Sequence, residues 1–190
     1  VPESPAFETI RQAGGLAASP IRDVFMTQRL TVAKLAGLVW LHGVAFYLLY
    51  VYLTTYLTTV TQVPLATVLA LNTGCMLLLA LLIPLMGAWS DRIGQAPLLI
   101  TGAAGIARLA YPCFLWLTSN HLPRMIAAQV LLTLLVACYM GPFFATVTEL
   151  FPTSQRYTGL SVGYNIGAAL FGGTAPLVAT FLIEWSGNVL

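Results

Sequence analysis

The sequence predicts an all-α membrane protein, a helical bundle of about five transmembrane helices. Three observations carry that expectation. The chain is 58% hydrophobic and only 7% charged, against about 25% charged in ordinary soluble domains. From Leu35 to Ser90 it contains no Asp, Glu, Lys or Arg. The charges it does have fall mostly in short joints between apolar stretches, where membrane spans meet water. A soluble fold of this composition would expose apolar patches and aggregate. The formal net charge of +2 is too small and too dispersed to argue for nucleic acid.

Residues 1–34 form the first element, a polar segment carrying Glu3, Glu8, Arg11, Arg22, Asp23, Arg29 and Lys34. That polarity is unlike the apolar core of a signal peptide, and with Val1 at its start the chain reads as a piece of something longer. Ser4-Pro5 and Ser19-Pro20 each pair a capping hydroxyl with a proline suited to a first helical turn, which predicts two short helical pieces. Ile21, Val24, Phe25 and Leu30 are placed either to lie on the membrane surface or simply to tether the bundle.

The bundle itself is expected over residues 35–184. A span needs about 20 apolar residues, and the apolar windows fall at about 35–57, 64–89, 98–117, 125–148 and 157–183. Polar or charged joints separate them, and residues 185–190 read as a truncated end. Counting basic residues in the joints gives orientation. Arg11, Arg22, Arg29, Lys34, Arg92 and Arg156 fall on one side and only Arg124 on the other, so the first side is expected to be cytoplasmic. Trp89, Trp116 and Trp185 lie near predicted span ends, where indole prefers the interface. Cys75, Cys113 and Cys138 sit inside spans without paired spacing or a histidine set, so they read as core thiols, with no metal site and no cofactor expected.

One joint has a chemistry of its own. In Gly87-x-x-x-Asp91-Arg92-x-Gly94, Gly87 permits close approach of a neighbouring helix, and Gly94 permits a tight reversal. Asp91 at the carboxyl end of its helix meets the negative end of the dipole, which costs about 0.3–1 kcal/mol unless another group compensates it. The motif is either a charged clasp at the cytoplasmic face or an ordinary polar turn.

Gly87 to Pro97 resembles the loop signature of the major facilitator superfamily. Tyr52-Leu53-Thr54-Thr55-Tyr56-Leu57 and the run from Glu149 to Gly159 resemble its metabolite:proton symporter branch, which includes proline/betaine, α-ketoglutarate, citrate and shikimate permeases. So does the longer run from Gly163 to Pro176. The resemblance implies the carboxyl-terminal half of a twelve-helix carrier, with residues 1–34 as its central cytoplasmic loop and the spans equivalent to helices 7–11. The amino-terminal half and twelfth helix would then be missing partners. It also implies a bacterial inner-membrane location. Gln95 and Ala96 depart from the pattern, which has basic residues after Gly94.

The resemblance assigns Gly87, Asp91, Arg92, Gly94, Glu149 and Arg156 to cytoplasmic gating. Within the spans, His42, Tyr47, Asn72, Arg108, Gln129, Tyr139, Tyr164 and Asn165 are candidates for the substrate cavity. Polar groups are costly to leave unpaired in lipid, so each is expected to face the cavity or another helix. Arg108, near the middle of the third span, needs a cavity or a partner, because arginine at the bilayer centre costs about 2.5–3.5 kcal/mol. His42 is either a proton-coupling group or a hydrogen-bonded core histidine. Gly159, Gly163 and Gly167 make a close-packing stripe, for rocking or for rigid packing. Pro84, Pro112, Pro142 and Pro176 are expected to free carbonyls within spans.

The function expected is proton-coupled symport of a small organic acid or zwitterionic metabolite by alternating access. The alternative is a truncated membrane protein or gene fragment without transport activity. An enzyme is not expected, because no nucleophile–base pair or metal set is visible.

Overall fold

The computed structural model describes residues 26, 28–61, 63–152 and 156–187. The helical pieces and the Ile21, Val24 and Phe25 stripe expected in the opening segment lie outside the described residues. Leu30, at its edge, is exposed. Five helices follow: α1 Arg29–Val60, α2 Leu65–Ile93, α3 Gln95–Leu117, α4 Leu122–Glu149 and α5 Arg156–Ser186, each long and apolar enough to cross a membrane. No strand occurs among the described residues. The helical choice follows from the solvent, since in lipid each span must satisfy its own backbone hydrogen bonds.

The helices overrun the apolar windows where interfacial residues can continue the backbone ladder. α2 extends to Ile93, so Asp91 and Arg92 occupy its last turn, and the joint to α3 narrows to Gly94. Gly94 has φ 90°, a conformation that glycine adopts freely. Space is not the constraint there, because an added Cβ would meet nothing nearer than Pro97 Cδ at 3.8 Å. At the other end of the bundle, Asn120 at φ 52° turns the chain between α3 and α4, and Pro123 lies in the first turn of α4.

α4 is the central helix. Half of its apolar window is buried inside the protein, against about a fifth for each of the others. Leu132, Val136 and Met140 of α4 pack with Cys75 and Leu79 of α2, Leu49 and Leu53 of α1, and Cys113 and Leu117 of α3. Two glycines bring backbones together on α4. A Cβ on Gly102 of α3 would sit 2.8 Å from the Leu135 carbonyl oxygen and from the Tyr139 nitrogen. A Cβ on Gly141 of α4 would lie 2.5 Å from Met86 Cβ and 2.9 Å from the Gly87 nitrogen. The close approach expected at Gly87 therefore exists, but its strict requirement falls on Gly141. A Cβ on Gly87 itself would find the Gly141 oxygen at an ordinary 3.6 Å.

α1 and α5 run parallel and share a small-residue seam. Gly163 lies against Leu35, Gly167 against Val39, and Gly172 against Gly43. On α1 these residues recur every four positions, whereas α5 takes five from Gly167 to Gly172. The extra residue is absorbed by a π-helical turn over Ala168–Gly172, which keeps Gly172 on the seam. α1 has a π-helical turn of its own, over Tyr47–Tyr52.

Pro176 differs in position from the other span prolines. The α-helical pattern of α5 is interrupted at Gly173–Thr174, and Pro176 lies in the first turn of the piece that follows, Ala175–Ser186. Its missing N–H costs nothing at that position. Pro84, Pro112 and Pro142 are interior to their helices.

Candidate functional site

Four buried polar side chains from three helices meet inside the bundle. Asn72 of α2 donates through Nδ2 to the Tyr50 carbonyl at 2.9 Å, and accepts through Oδ1 from Gln129 Nε2 of α4 at 3.1 Å. The Tyr50 hydroxyl donates to Thr133 Oγ1 at 3.0 Å. Exposure is 9% for Asn72, 4% for Tyr50, 1% for Gln129 and zero for Thr133, so these bonds form away from solvent. Tyr50 lies in the π-helical turn of α1, and its carbonyl is taken by a side chain from another helix. Thr133 is not among the candidates drawn from the sequence. Its signal is position, one helical turn beyond Gln129 on the same face of α4.

A second cluster gathers around His42. Its ring stacks on Phe143 with centroids 4.1 Å apart and planes 17° from parallel, and meets Phe144 edge-on at 5.7 Å. His42 Nε2 lies 3.4 Å from the Tyr164 hydroxyl, while Nδ1 is buried without a hydrogen-bond partner among the described residues. Tyr139 packs nearby on Phe143 and donates its hydroxyl to the Leu38 carbonyl at 2.9 Å. Helices α1, α4 and α5 thus bring His42, Tyr139 and Tyr164 together around Phe143. Asn165 sits beside Tyr164 but is exposed, and it donates to the Ser161 carbonyl of its own helix at 2.6 Å.

Three side chains link the neighbouring ends of α3 and α4. Gln95, the first residue of α3, donates through Nε2 to Glu149 Oε1 at 3.1 Å and accepts through Oε1 from the Thr146 hydroxyl at 2.8 Å. An amide can both donate and accept, whereas a lysine there could only donate. Arg156 donates from Nε to the Phe151 carbonyl at 3.3 Å. Asp91 and Arg92 are exposed and make no hydrogen bond or ion pair among the described residues. Asp91 and Arg92 do not pair with Glu149 or Arg156 among the described residues. Glu149 is engaged by Gln95 instead.

Two candidates stand apart. Tyr47 lies along the α1–α5 seam, where its ring would meet a Cβ on Gly172 at 2.9 Å. Arg108 is exposed, without a hydrogen bond or ion pair among the described residues, and joins neither cluster. No group of three or more His, Cys, Asp or Glu comes together among the described residues.

A family model described as the Major Facilitator Superfamily matches residues 35–189. The chain is 29% identical over 199 residues to the ectoine/proline transporter ProP of Corynebacterium glutamicum, covering 98% of this chain and 39% of that protein. It is 30% identical over 160 residues to the proline/betaine transporter of Escherichia coli K12, covering 81% of this chain and 31% of that protein. The glycine betaine/proline/ectoine/pipecolic acid transporter OusA of Dickeya dadantii is 29% identical over 202 residues, covering 98% of this chain and 39% of that protein. The chain therefore spans about two-fifths or less of the length of these relatives. No solved structure matches it significantly.

Proposed function

This chain belongs to the major facilitator superfamily, and on that premise we propose that it forms part of a proton-coupled symporter for a small, net-neutral zwitterion of the proline and betaine kind. One observation carries the substrate class. The polar groups turned into the bundle are the uncharged side chains of Tyr50, Asn72, Gln129, Thr133 and Tyr139, with the imidazole of His42 beside Tyr164. A substrate with net charge needs a desolvated counter-ion, whereas a zwitterion carries its own and asks mainly for hydrogen bonds. The substrates in the names of the relatives point the same way.

Alternating access requires one group of helices to rock against another around a central site. The α1–α5 seam suits such motion, since glycines at the contact let backbones pass closely and each helix carries a π-helical turn there. The ends joined by Gln95, Thr146 and Glu149 serve as a cytoplasmic fastening, with Asp91 and Arg92 available to a second helical bundle. That bundle also supplies the main proton-carrying carboxylate, because Asp91, Glu149 and Glu184 lie at helix ends and no Asp or Glu lies deep in a helix among the described residues.

The test is uptake of labelled proline and glycine betaine by cells expressing the complete carrier that contains this sequence, with and without a protonophore. Uptake abolished by the protonophore supports the reading. Correct insertion with no uptake of any zwitterion rejects it in favour of a membrane protein without transport activity.

A further inference from the structure

A groove of about 340 Å³ opens between the second half of α4 and the first half of α5. Phe144, Tyr157 and Tyr164 give it three aromatic rings, and Thr148, Ser161 and Asn165 give it hydroxyl and amide groups. Among the described residues, no Asp, Glu, Lys or Arg lines it. Two of the rings are held by their surroundings. Phe144 stands edge-on to the fully buried Phe143 at 5.2 Å and 84°. Tyr164 is oriented by its hydroxyl, 3.4 Å from His42 Nε2. Their centroids are 6.1 Å apart, yet Phe144 remains 55% exposed and Tyr157 85% exposed. Rings arranged this way leave π surface uncovered at the groove.

We propose that this groove receives the ammonium end of the zwitterion, with the methylated nitrogen against Phe144, Tyr157 and Tyr164. The proposal rests on the transport function inferred above and adds to it where the cation is held. A fully methylated ammonium has no N–H to donate, so a carboxylate or carbonyl gives it no hydrogen bond. Its charge is spread over the methyl groups and is attracted to the negative faces of aromatic rings. The lack of any ionised side chain in the lining selects against a free cation, which would want a carboxylate, and favours a ligand that brings its own counter-charge. The Ser161 hydroxyl lines the same groove and is a donor for such a ligand's carboxylate end.

The experiment uses the complete carrier that contains this sequence and labelled glycine betaine as the probe, with membrane protein levels measured alongside. Phe144→Leu removes the π face while keeping bulk, and is expected to raise the betaine KM about tenfold. Phe144→Tyr, which keeps the ring, is expected to stay within about twofold of the parent. Tyr157→Leu, on the most exposed ring, provides a second variant should Phe144→Leu fail to fold, and is expected to shift KM in the same direction. The carbon isostere 3,3-dimethylbutanoate should compete weakly, and equally so, against the parent and Phe144→Leu. An unchanged betaine KM in the leucine variants overturns the proposal and gives the groove to a lipid chain or a neighbouring helix. Equal impairment of Phe144→Leu and Phe144→Tyr also overturns it, by marking a steric role. A parent carrier that takes up no zwitterion overturns the function reading first, and the ligand of the groove with it.

Discussion

Gly43 of α1 and Gly172 of α5 meet backbone to backbone: a Cβ on Gly43 would lie 3.1 Å from Gly172 Cα and 3.2 Å from its nitrogen. The contact exists because a π-helical turn takes up one residue of α5 between Gly167 and Gly172. Without that turn, Gly172 would rotate by roughly 100° off the seam, the angular step of one residue in an α-helix. Replacing Gly172 with leucine should therefore force α1 and α5 apart near Tyr47 and destabilise the carrier by about 1–3 kcal/mol, the usual cost of overpacking. Thermal unfolding of the purified carrier measures it, and an unshifted midpoint would show that the seam tolerates separation.

The α2–α4 crossing makes an asymmetric prediction. Gly141→Ala places a methyl 2.5 Å from Met86 Cβ, whereas Gly87→Ala places one 3.6 Å from the Gly141 oxygen. Gly141→Ala should cost about 1–3 kcal/mol, and Gly87→Ala should be near neutral for stability. The same unfolding measurement checks the order, and the reverse ranking would refute the crossing geometry.

Asn72 and Gln129 should couple energetically. Asn72→Leu or Gln129→Leu alone leaves its partner buried without that hydrogen bond, while the double variant removes both groups. Interhelical hydrogen bonds inside membranes are worth about 0.6–1.7 kcal/mol. A double-mutant cycle on stability should return an interaction energy in that range, and strict additivity would mean the amides act independently.

The fastening at the ends of α3 and α4 can be separated from the exposed motif beside it. Gln95→Ala removes the bonds to Glu149 and Thr146 within this chain. Asp91→Asn leaves those bonds untouched and removes a charge that makes no ion pair among the described residues. Gln95→Ala is expected to lower stability modestly, by about 0.5–1.5 kcal/mol for exchanged hydrogen bonds in a partly hydrated site. Asp91→Asn should reduce uptake with insertion intact, and unchanged uptake kinetics would remove its gating role.

Sequence and structure differ most at the candidate site. Asn72, Gln129, Tyr139, His42 and Tyr164 could be singled out because polar groups inside apolar spans need partners. Their division into two clusters was not legible, because Asn72 and Gln129 are 57 residues apart and Tyr164 and His42 are 122 apart. Thr133 was missed, since a lone hydroxyl can bond within its own helix and sends no strong signal. Arg108 was expected to need a cavity or a partner, and it is exposed and joins neither cluster. The aromatic groove was likewise invisible, because Phe144 and Tyr157 are unremarkable in a span until α4 and α5 are set side by side.

What the sequence by itself determined is the set of helices and their family. A run of some 20 residues without charge has few ways to satisfy its backbone in lipid, so composition and the placement of charge suffice. Only the tertiary structure decided that Gly141 rather than Gly87 bears the α2–α4 crossing, that Gln95 holds Glu149, and that Pro176 lies in the first turn of Ala175–Ser186. Each of these depends on how far one helix is rotated and shifted against another. A single helix does not encode that rotation; it is settled when all the side chains at the interfaces pack at once.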